Sequence, residues 1–468
     1  MLRYLLLVIF FGFIGSWFIL RFDFEQSFVE GVVGQPADLF PGRGPRNTID
    51  ETLERLLFRS LFSYDRNGVI NPDLAGNWAV SEDGKTYSIT IVDAFWEDGE
   101  PVSAADVVFT FVRDPAFSDL TIEQEGEKTV QFLLKNPLAS FFDILTRPIA
   151  PAHLQASNLD LRGNTSFSIS KIVREGDSIR GIILKNSSSP AVKNLVFKFY
   201  ENEKDLIDAA NLGEVNALSA ENFSNPSFFL NQTPLHDRYF ALFFNLDGRN
   251  ALLQNKEFRK ASSQKIPSLS GAAVNGPVSG TWAQASLDFP RFNSSFIQKF
   301  QGKITITVPA LGLLPEEARE IADLWQKELG ITAEVKIVNP EVVEGILAKK
   351  DFEAIILGQE VARDPDRYNL WHSSQKTFPG QNISGYANPR ADLALEGGRK
   401  SQDQEVRKTH YVNFQRLFIE DNPAILLYHP NLAYWVSRKF VGLSLEKIFF
   451  QEDRFWNFSS WRLGFESR

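Results

Sequence analysis

The sequence predicts an α/β protein with an open, mostly parallel sheet, because strand and helix patterns alternate over residues 303–358. "KITITVP", "ITAEVKIV" and "FEAIILG" are typical of buried strands, and a helical pattern follows each of the first two. The order β-α-β-α-β requires right-handed crossovers within one sheet. With 468 residues, 43% of them hydrophobic and 23% charged, the chain is long enough for two or three domain-sized units.

The first helix of this unit carries signals at both ends. Pro315 suits the first helical position, two glutamates place negative charge in the first turn, and Gly330 suits the C-terminus. The apolar residues that share one face of this helix are Ile321, Leu324, Trp325 and Leu329. The sequence therefore predicts a helix that packs on the sheet.

Residues 78–111 predict a hairpin that leads into a helix. Asp83-Gly84 is a tight-turn signal, and "KTYSITI" after it alternates as a strand does. Ser103 and Asp106 have the spacing of a capping box. A helix should therefore begin at this point and direct its apolar residues inward.

Composition excludes several classes of function. The formal net charge is −9, and a negative field repels phosphate backbones, so nucleic acid is not expected as a partner. The chain has no cysteine, which removes disulfides, thiolate nucleophiles and cysteine-ligated metal sites. No cofactor is expected.

The N-terminal segment is predicted to anchor the chain in a membrane. Residues 4–20 form an apolar run with an arginine on each side, and about 17–20 such residues can span a bilayer. We expect an uncleaved signal anchor within residues 1–27, with cleavage near Gly15 and Ser16 as the alternative. The positive charges before the run favour a cytoplasmic N-terminus, which leaves the body at the cell surface or in the periplasm.

A polar stretch, "RDPDRYNLWHSSQ" at residues 363–375, follows the third strand of the α/β unit. Ligands bind beyond the carboxyl ends of strands in open α/β sheets, so a ligand crevice is expected here. Asp364 and Asp366 do not continue with the spacing of a calcium loop, and the five histidines are scattered. His372 and Ser373 are sequence neighbours, and no G-x-S-x-G elbow occurs. Neither a metal site nor an enzyme is therefore predicted.

Two interpretations of this stretch remain. Asp364 either fixes the Asp-Pro-Asp turn by accepting backbone N–H groups or contacts a ligand directly. Ligand pockets are usually aromatic with a few placed polar groups. The candidates for a cleft wall on this basis are Gln359, Glu360, Tyr368, Trp371 and Trp282. For each aromatic residue, packing in the core is the alternative.

Six collinear stretches give the chain a family resemblance. The longest covers residues 56–111 and contains "DGEPVSAADVVF". The others lie at 239–261, 275–282, 351–375, 382–395 and 421–442. Over about residues 28–441 the chain resembles the extracellular solute-binding proteins of family 5, which are the oligopeptide- and dipeptide-binding subunits of bacterial ABC importers.

The resemblance implies a two-lobed α/β fold of the periplasmic-binding-protein type II (Venus-flytrap) class, with an extra subdomain in the N-terminal lobe. Lobe I would comprise residues 28–240, with a hairpin and helix subdomain at about 55–150. Lobe II would comprise residues 241–430, and residues 431–468 would return to lobe I.

The hinge between the lobes would pass near Phe243-Phe244-Asn245 and near Leu426-Leu427-Tyr428. Because family members close on their ligand about the hinge, Phe244 and Asn245 join the ligand-binding candidates.

The resemblance implies an extracytoplasmic protein that binds an oligopeptide in its cleft and delivers it to an ABC permease and its ATPase, without chemistry. Peptides in this family are held largely through their backbone, as an added strand. The chain is expected to be a monomer. Alternative cargoes are a nickel chelate, an oligosaccharide or another small solute, and an alternative role is a fixed surface receptor or chaperone without transport.

The chain departs from the family pattern in three places. The family usually has a lipid-bearing cysteine near the N-terminus, which the apolar run at residues 4–20 would replace. An aspartate three residues before the Asp-Pro pair commonly binds a peptide's amine, whereas this chain has Val361 there and Glu360 as the nearest acid. After "EFRKA" the family usually continues a helix, whereas this chain runs "SSQKIPSLSGAAV".

Overall fold

The computed structural model describes residues 26–41, 47–114, 117, 119–154, 161–289, 298–445 and 448–464. The predicted signal anchor at residues 4–20 lies outside these ranges. Within them, no helix is long and apolar enough to cross a membrane.

The described residues form strands and helices in the following chain order. The strands are β1 (Ser27–Val33), β2 (Phe62–Tyr64), β3 (Ile70–Pro72), β4 (Ala75–Val80), β5 (Thr86–Ile91), β6 (Thr121–Glu125), β7 (Thr129–Leu133), β8 (Phe167–Glu175), β9 (Ser178–Asn186), β10 (Asn194–Tyr200), β11 (Ala217–Ser219), β12 (Phe228–Pro234), β13 (Arg238–Phe244), β14 (Ala272–Ala273), β15 (Lys303–Pro309), β16 (Thr332–Val338), β17 (Ala354–Glu360), β18 (Ala424–His429), β19 (Asn431–Ser437), β20 (Phe440–Val441) and β21 (Arg462–Leu463). The α-helices are α1 (Thr48–Leu57), α2 (Ala104–Val112), α3 (Phe141–Ile144), α4 (Glu203–Asn211), α5 (Ala251–Gln254), α6 (Lys256–Ser263), α7 (Leu314–Leu329), α8 (Val343–Lys349), α9 (Tyr368–Trp371), α10 (Pro389–Lys400) and α11 (Gln404–Asp421).

Lobe I is built on a seven-stranded sheet in the order β12-β19-β11-β1-β10-β9-β8. A four-stranded antiparallel sheet in the order β4-β5-β7-β6 forms the predicted subdomain with α2. The predicted hairpin and the start of its helix are confirmed, since the carboxylate of Asp106 accepts the N–H of Ser103 as a capping box requires. One hydrophobic core joins the two sheets.

Lobe II is built on a six-stranded sheet in the order β14-β18-β13-β17-β15-β16. The predicted β-α-β-α-β unit is confirmed, since β15 pairs in parallel with both β16 and β17. Gly330 ends α7 with a φ of 74°, the left-handed conformation that glycine adopts readily. The sheet as a whole is mixed, because β13 runs antiparallel to both of its neighbours.

Cores cover both faces of the lobe II sheet. Along β13, Leu242 and Phe244 belong to the core that contains α7, whereas Tyr239, Ala241 and Phe243 belong to the core that contains α10 and α11. Side chains alternate between the faces of a strand, so an apolar run such as "RYFALFF" fits a sheet that is buried on both sides.

The chain passes between the two large sheets at two described places. Residues 235–237 join β12 in lobe I to β13 in lobe II, and Pro430 joins β18 in lobe II to β19 in lobe I. The predicted lobe boundary at 240/241 lies inside β13, whereas the one at 430/431 coincides with the second passage. Of the predicted hinge residues, 243–245 lie at the far end of β13 from the first passage, whereas 426–428 lie in β18, two residues before Pro430.

Candidate functional site: the cleft between the lobes

Two cavities lie where lobe I faces the carboxyl end of β17 in lobe II. The first has a volume of about 340 Å³ and is bordered by Phe62 and Trp78 of lobe I and by Asp364 and Arg407 of lobe II. The second has a volume of about 330 Å³ and lies beside the passage at residues 235–237. Trp282 lines both cavities. We call them the subdomain cavity and the hinge cavity.

Arg363, the first residue of the polar stretch, reaches from lobe II into lobe I. Its side chain is 5% exposed, and its Nη2 donates a hydrogen bond to a carboxylate oxygen of Asp453. Four aromatic rings surround its guanidinium, with centroids 4.9–5.3 Å from the central carbon: Tyr64, Phe449, Phe450 and Trp456. Burial raises the pKa of Asp453, and the positive charge of Arg363 opposes that rise.

Polar contacts also join the lobes at the far side of the subdomain cavity. The backbone N–H of Ala139 donates to the carbonyl of Arg399 at 2.8 Å, and the side chain of Gln402 donates to the hydroxyl of Tyr87 at 2.8 Å. These contacts and that of Arg363 with Asp453 join the two lobes at separate places. The structure therefore holds the two lobes in a closed arrangement.

The Asp-Pro-Asp segment forms a fixed turn in the cleft wall. Asp364 accepts the N–H of Asp366 at 2.9 Å and the guanidinium Nη2 of Arg407 at 2.6 Å. Burial raises the pKa of the Asp364 carboxyl, and the nearby Arg407 opposes that rise. Asp366 in turn accepts from Arg399 at 2.8 Å and, across the cleft, from Ser140 at 3.0 Å. Asp364 therefore has a structural role while it borders the subdomain cavity.

The aromatic residues of the polar stretch, Tyr368 and Trp371, are not among the residues that line the two cavities. Trp371 is 0% exposed and packs edge-on against Phe418 with ring centroids 4.8 Å apart. The ring of Tyr368 stacks on that of His372 with centroids 4.0 Å apart, and the guanidinium carbon of Arg399 lies 4.2 Å from the Tyr368 ring centroid. His372 also bonds to Ser374. Within the described part of the chain, no group of three histidine, cysteine, aspartate or glutamate residues could hold a metal ion.

Phe244 and Asn245 lie in the body of lobe II. Phe244 is 0% exposed in the core against α7, and the Asn245 amide donates to the carbonyls of Lys350 at 3.0 Å and Phe352 at 2.8 Å. Both residues stand at the end of β13 that is remote from the passage at 235–237. Phe244, Asn245 and Trp371 do not line either of the two cavities, and their role in ligand binding stays a prediction.

Gln359 and Glu360 lie at the carboxyl end of β17. The Glu360 side chain is 82% exposed, and its carboxylate lies 3.8 Å from the guanidinium of Arg238 on the neighbouring strand. The Gln359 amide donates to the carbonyl of Glu360 at 3.0 Å. Neither residue is among the described residues that line the two cavities.

Sequence reasoning missed three residues that line the hinge cavity: Arg363, Arg66 and His236. His236 lies in the first passage, and its ring contacts that of His429, which precedes the second, at 4.7 Å and an interplanar angle of 71°. Burial and the neighbouring His429 lower the pKa of His236 to about 4. No local pattern marks these residues, because they meet only when residues distant in sequence fold together.

Comparison with known proteins agrees with this architecture. The family model "Bacterial extracellular solute-binding proteins, family 5 Middle" matches residues 69–267. A Brucella ovis protein, whose name assigns it to ABC transporter peptide binding, is 36% identical over 402 residues, which cover 72% of this chain and 75% of that protein.

Solved structures share the fold over nearly the whole chain. The oligopeptide-binding protein of Bacillus subtilis in complex with a nonapeptide has a TM-score of 0.67 at 19% identity, covering 94% of this chain and 99% of its own. The NikZ protein of Campylobacter jejuni in complex with Ni(L-His) has a TM-score of 0.66 at 19% identity, with the same coverage of 94% and 99%. From the family match and the Brucella relative, this chain belongs to the bacterial extracellular solute-binding proteins of family 5.

Proposed function

We propose that the protein is the extracytoplasmic substrate-binding component of an ABC importer, which binds an oligopeptide between its lobes and delivers it to a permease. The observation that carries this proposal is the pair of cavities around Trp282 between the closed lobes. Concave, partly aromatic spaces of this kind bury small solutes. Further support comes from the peptide-binding name of the Brucella relative and from the nonapeptide in the Bacillus structure.

The end of β17 offers a backbone edge to a peptide. β13 pairs with β17 as far as Glu360, whereas β15 pairs with it only at Ala354 and Ile355. Over residues 356–360, no described strand pairs with the other edge of β17. A peptide added there would bond through its backbone, so selection among side chains would be loose. Gln359 and Glu360 would then lie beside the peptide, and Asp364 and Trp282 would border its cavities.

The lobes would move about the passages at residues 235–237 and Pro430. In an open state Arg363 withdraws from its aromatic surroundings in lobe I, and the cleft becomes accessible. Closure on cargo restores the contacts of Arg363 and buries the cargo, and a permease would bind the closed form. The protein would act as a monomer, held at the membrane by residues 1–27 with its body outside the cytoplasm.

A binding screen tests this function. The full chain, purified in detergent, is mixed with pools of synthetic peptides of two to nine residues, and its melting temperature is recorded. A ligand at 100 times its Kd stabilises the folded state by about 2.7 kcal/mol, so a bound peptide raises the melting temperature. We expect at least one pool to do so, with calorimetry giving one site per chain.

A different cargo is the second candidate, because the Campylobacter structure holds Ni(L-His) in the same fold. The same screen therefore includes nickel with histidine and a panel of oligosaccharides. A shift with one of these and none with any peptide pool would replace the peptide by that solute. If a peptide binds but the cells have no partner permease and do not import it, the receptor role remains as the alternative.

A further inference from the structure

Five exposed cations lie at the end of the lobe I sheet where β1 begins. Ser27 of β1 pairs with Asn194 of β10, and Asn194 pairs in turn with Lys185 of β9. β1 runs parallel to β11 and β19 runs antiparallel to it, so β19 ends at this same level. Beyond β19, Phe440 of β20 packs against Phe28 with ring centroids 5.0 Å apart. The exposed cations at this end, which we call the basic end, are Lys185, Lys193, Arg438, Lys439 and Arg462.

The charge of the basic end is not neutralised by the described part of the chain. None of the five cations forms an ion pair with a described carboxylate. Glu214, the acid in the loop that leads into β11, is bound by Lys198 at 3.3 Å. Arg438 donates its Nε to the carbonyl of Pro226 at 3.0 Å, which fixes the guanidinium and leaves its charge. The basic end therefore stays positive in a chain whose formal net charge is −9.

Exposed apolar side chains accompany these cations. Val441 of β20 pairs with Arg462 of β21, and Leu463 follows Arg462 in the same strand. Val441 and Leu463 are 38% and 45% exposed. Leu212, which is 77% exposed, lies in the loop that enters the sheet beside Val29. Cations that surround apolar side chains suit the headgroup region of a bilayer, where the charges meet anionic lipids and the apolar groups leave water.

The chain reaches this end directly from its predicted membrane anchor. Only residues 21–26 separate the apolar run at 4–20 from Ser27, and six residues span at most about 20 Å. This short stretch contains Arg21, Asp23 and Glu25, so it adds no positive charge of its own. The end of lobe I that carries the five cations is therefore the end that the anchor would hold nearest to the bilayer.

We propose that the basic end of lobe I rests on anionic lipid headgroups of the membrane that holds the anchor. This inference rests on the proposed function, which places residues 1–27 at the membrane, and adds a second membrane contact to it. Each lysine or arginine held near an anionic surface strengthens the attraction about fivefold. The same surface repels the negative remainder of the chain, so the lipids orient the protein as well as hold it.

This orientation directs the cleft away from the bilayer. β12 begins at Phe228, beside the end of β19, and leads to Pro234, next to the passage at residues 235–237. With a rise of about 3.3 Å per residue, β12 places that passage about 20 Å along the sheet from the basic end. Lobe II and the cleft lie beyond the passage. Cargo from outside therefore reaches the cleft while lobe I stays on the lipids.

The test measures how close each lobe lies to the surface of vesicles that carry the full chain. Because the chain has no cysteine, one fluorescent donor can be attached at Ser187→Cys, beside the basic end, or at Glu344→Cys in lobe II, both at exposed positions. The acceptor is a lipid with a labelled headgroup. The vesicles contain phosphatidylcholine alone or mixed with phosphatidylglycerol, which is anionic.

Two triple variants separate the basic end from the net charge of the chain. Each replaces three exposed lysines that form no ion pair with a described carboxylate, so both lose the same charge. The basic-end variant combines Lys185→Gln, Lys193→Gln and Lys439→Gln. The control variant, in lobe II, combines Lys260→Gln, Lys349→Gln and Lys408→Gln.

We expect phosphatidylglycerol to increase transfer from Ser187→Cys more than from Glu344→Cys. Salt at about 1 M should abolish the increase, because it shortens the Debye length to about 3 Å. The basic-end variant should lower the ratio of lipid-bound to free lobe I about 100-fold, at about fivefold for each of three charges, and the control variant should behave as the wild type.

Equal transfer with and without phosphatidylglycerol, or an equal loss in the two triple variants, would overturn the inference while the proposed function stands. Chains that do not float with vesicles of either composition would lack the anchor. That result would overturn both the inference and the membrane attachment in the proposed function, and the peptide screen would still decide the cargo.

Discussion

Substitution of Arg363 by methionine tests how the lobes are held closed. Methionine keeps much of the length of the side chain and removes its charge. In the closed form the change leaves the carboxylate of Asp453 with two backbone donors, the N–H groups of Phe449 and Phe450, and without a cation. It also removes the guanidinium from the surrounding aromatic rings, including Tyr64.

The magnitude follows from these contacts. Removal of one partner of a buried ion pair costs about 3–5 kcal/mol, and a desolvated cation–π contact contributes up to about 2 kcal/mol. In an open form both charges are hydrated, so the loss falls on the closed form. Taking about 3 kcal/mol as the lower bound, the ratio of closed to open molecules should fall roughly 100-fold.

Single-molecule fluorescence transfer between the lobes measures this ratio. The chain has no cysteine, so Asp177→Cys in lobe I and Glu344→Cys in lobe II, both at exposed positions, would give specific labelling. Transfer is recorded without cargo and during a titration with a bound peptide. Arg363→Met should show a smaller closed population and an apparent affinity weaker by up to about 100-fold, the full factor applying where the open form predominates.

A double variant separates the buried charge from a general loss of packing. Arg363→Met with Asp453→Asn removes both charges, so it should recover part of the closed population that the single variant loses. Transfer distributions and peptide titrations of Arg363→Met that match those of the wild type would refute the reasoning. They would mean that Arg363 does not hold the lobes together in solution.

Three further variants test local features. Trp282 lines both cavities, so Trp282→Ala should weaken cargo binding about 10- to 100-fold in calorimetry; an unchanged Kd would remove it from the site. Gly280 has a φ of +78°, and an added Cβ would lie 2.7 Å from His236, so Gly280→Ala should lower the unfolding free energy by about 1–3 kcal/mol in urea; no loss would contradict the packing. Desolvation raises the pKa of Asp143 from 3.8 to about 6, so the folded state binds the Asp143 proton more tightly than the unfolded state does. The stability that this bound proton contributes is lost as the pH rises through about 6. Asp143→Asn should therefore raise the free energy of unfolding by about 2 kcal/mol at pH 7.5 and hardly at all at pH 3.5, where the first figure is reduced because the Asp143 carboxyl is partly exposed. Equal effects at both pH values would contradict the pKa shift.

Local elements of the fold could be predicted because their signals are local. The capping box at Ser103 and the glycine at position 330 each act within a few residues of the helix end they mark. The alternation of strands and helices over residues 303–358 likewise specifies a parallel unit without knowledge of the rest of the chain. The mixed character of the lobe II sheet could not be predicted, since β13 and β18 enter it from distant parts of the sequence.

The candidate site could be located but only partly resolved into residues. Its position after β17 follows from the general rule for α/β sheets. Trp371 and Trp282 look equivalent in sequence, yet one is core and the other lines both cavities. Arg363 joins Asp453 across 90 positions of the chain, and no spacing rule reaches that far. The interlobe contacts therefore required the structure.

Identification of the bound cargo tests the central claim most directly. The protein is purified from its native membrane, and native mass spectrometry of the intact chain is followed by sequencing of the released ligand. The proposed function predicts one peptide per chain. A metal chelate or a sugar in place of any peptide would contradict the account.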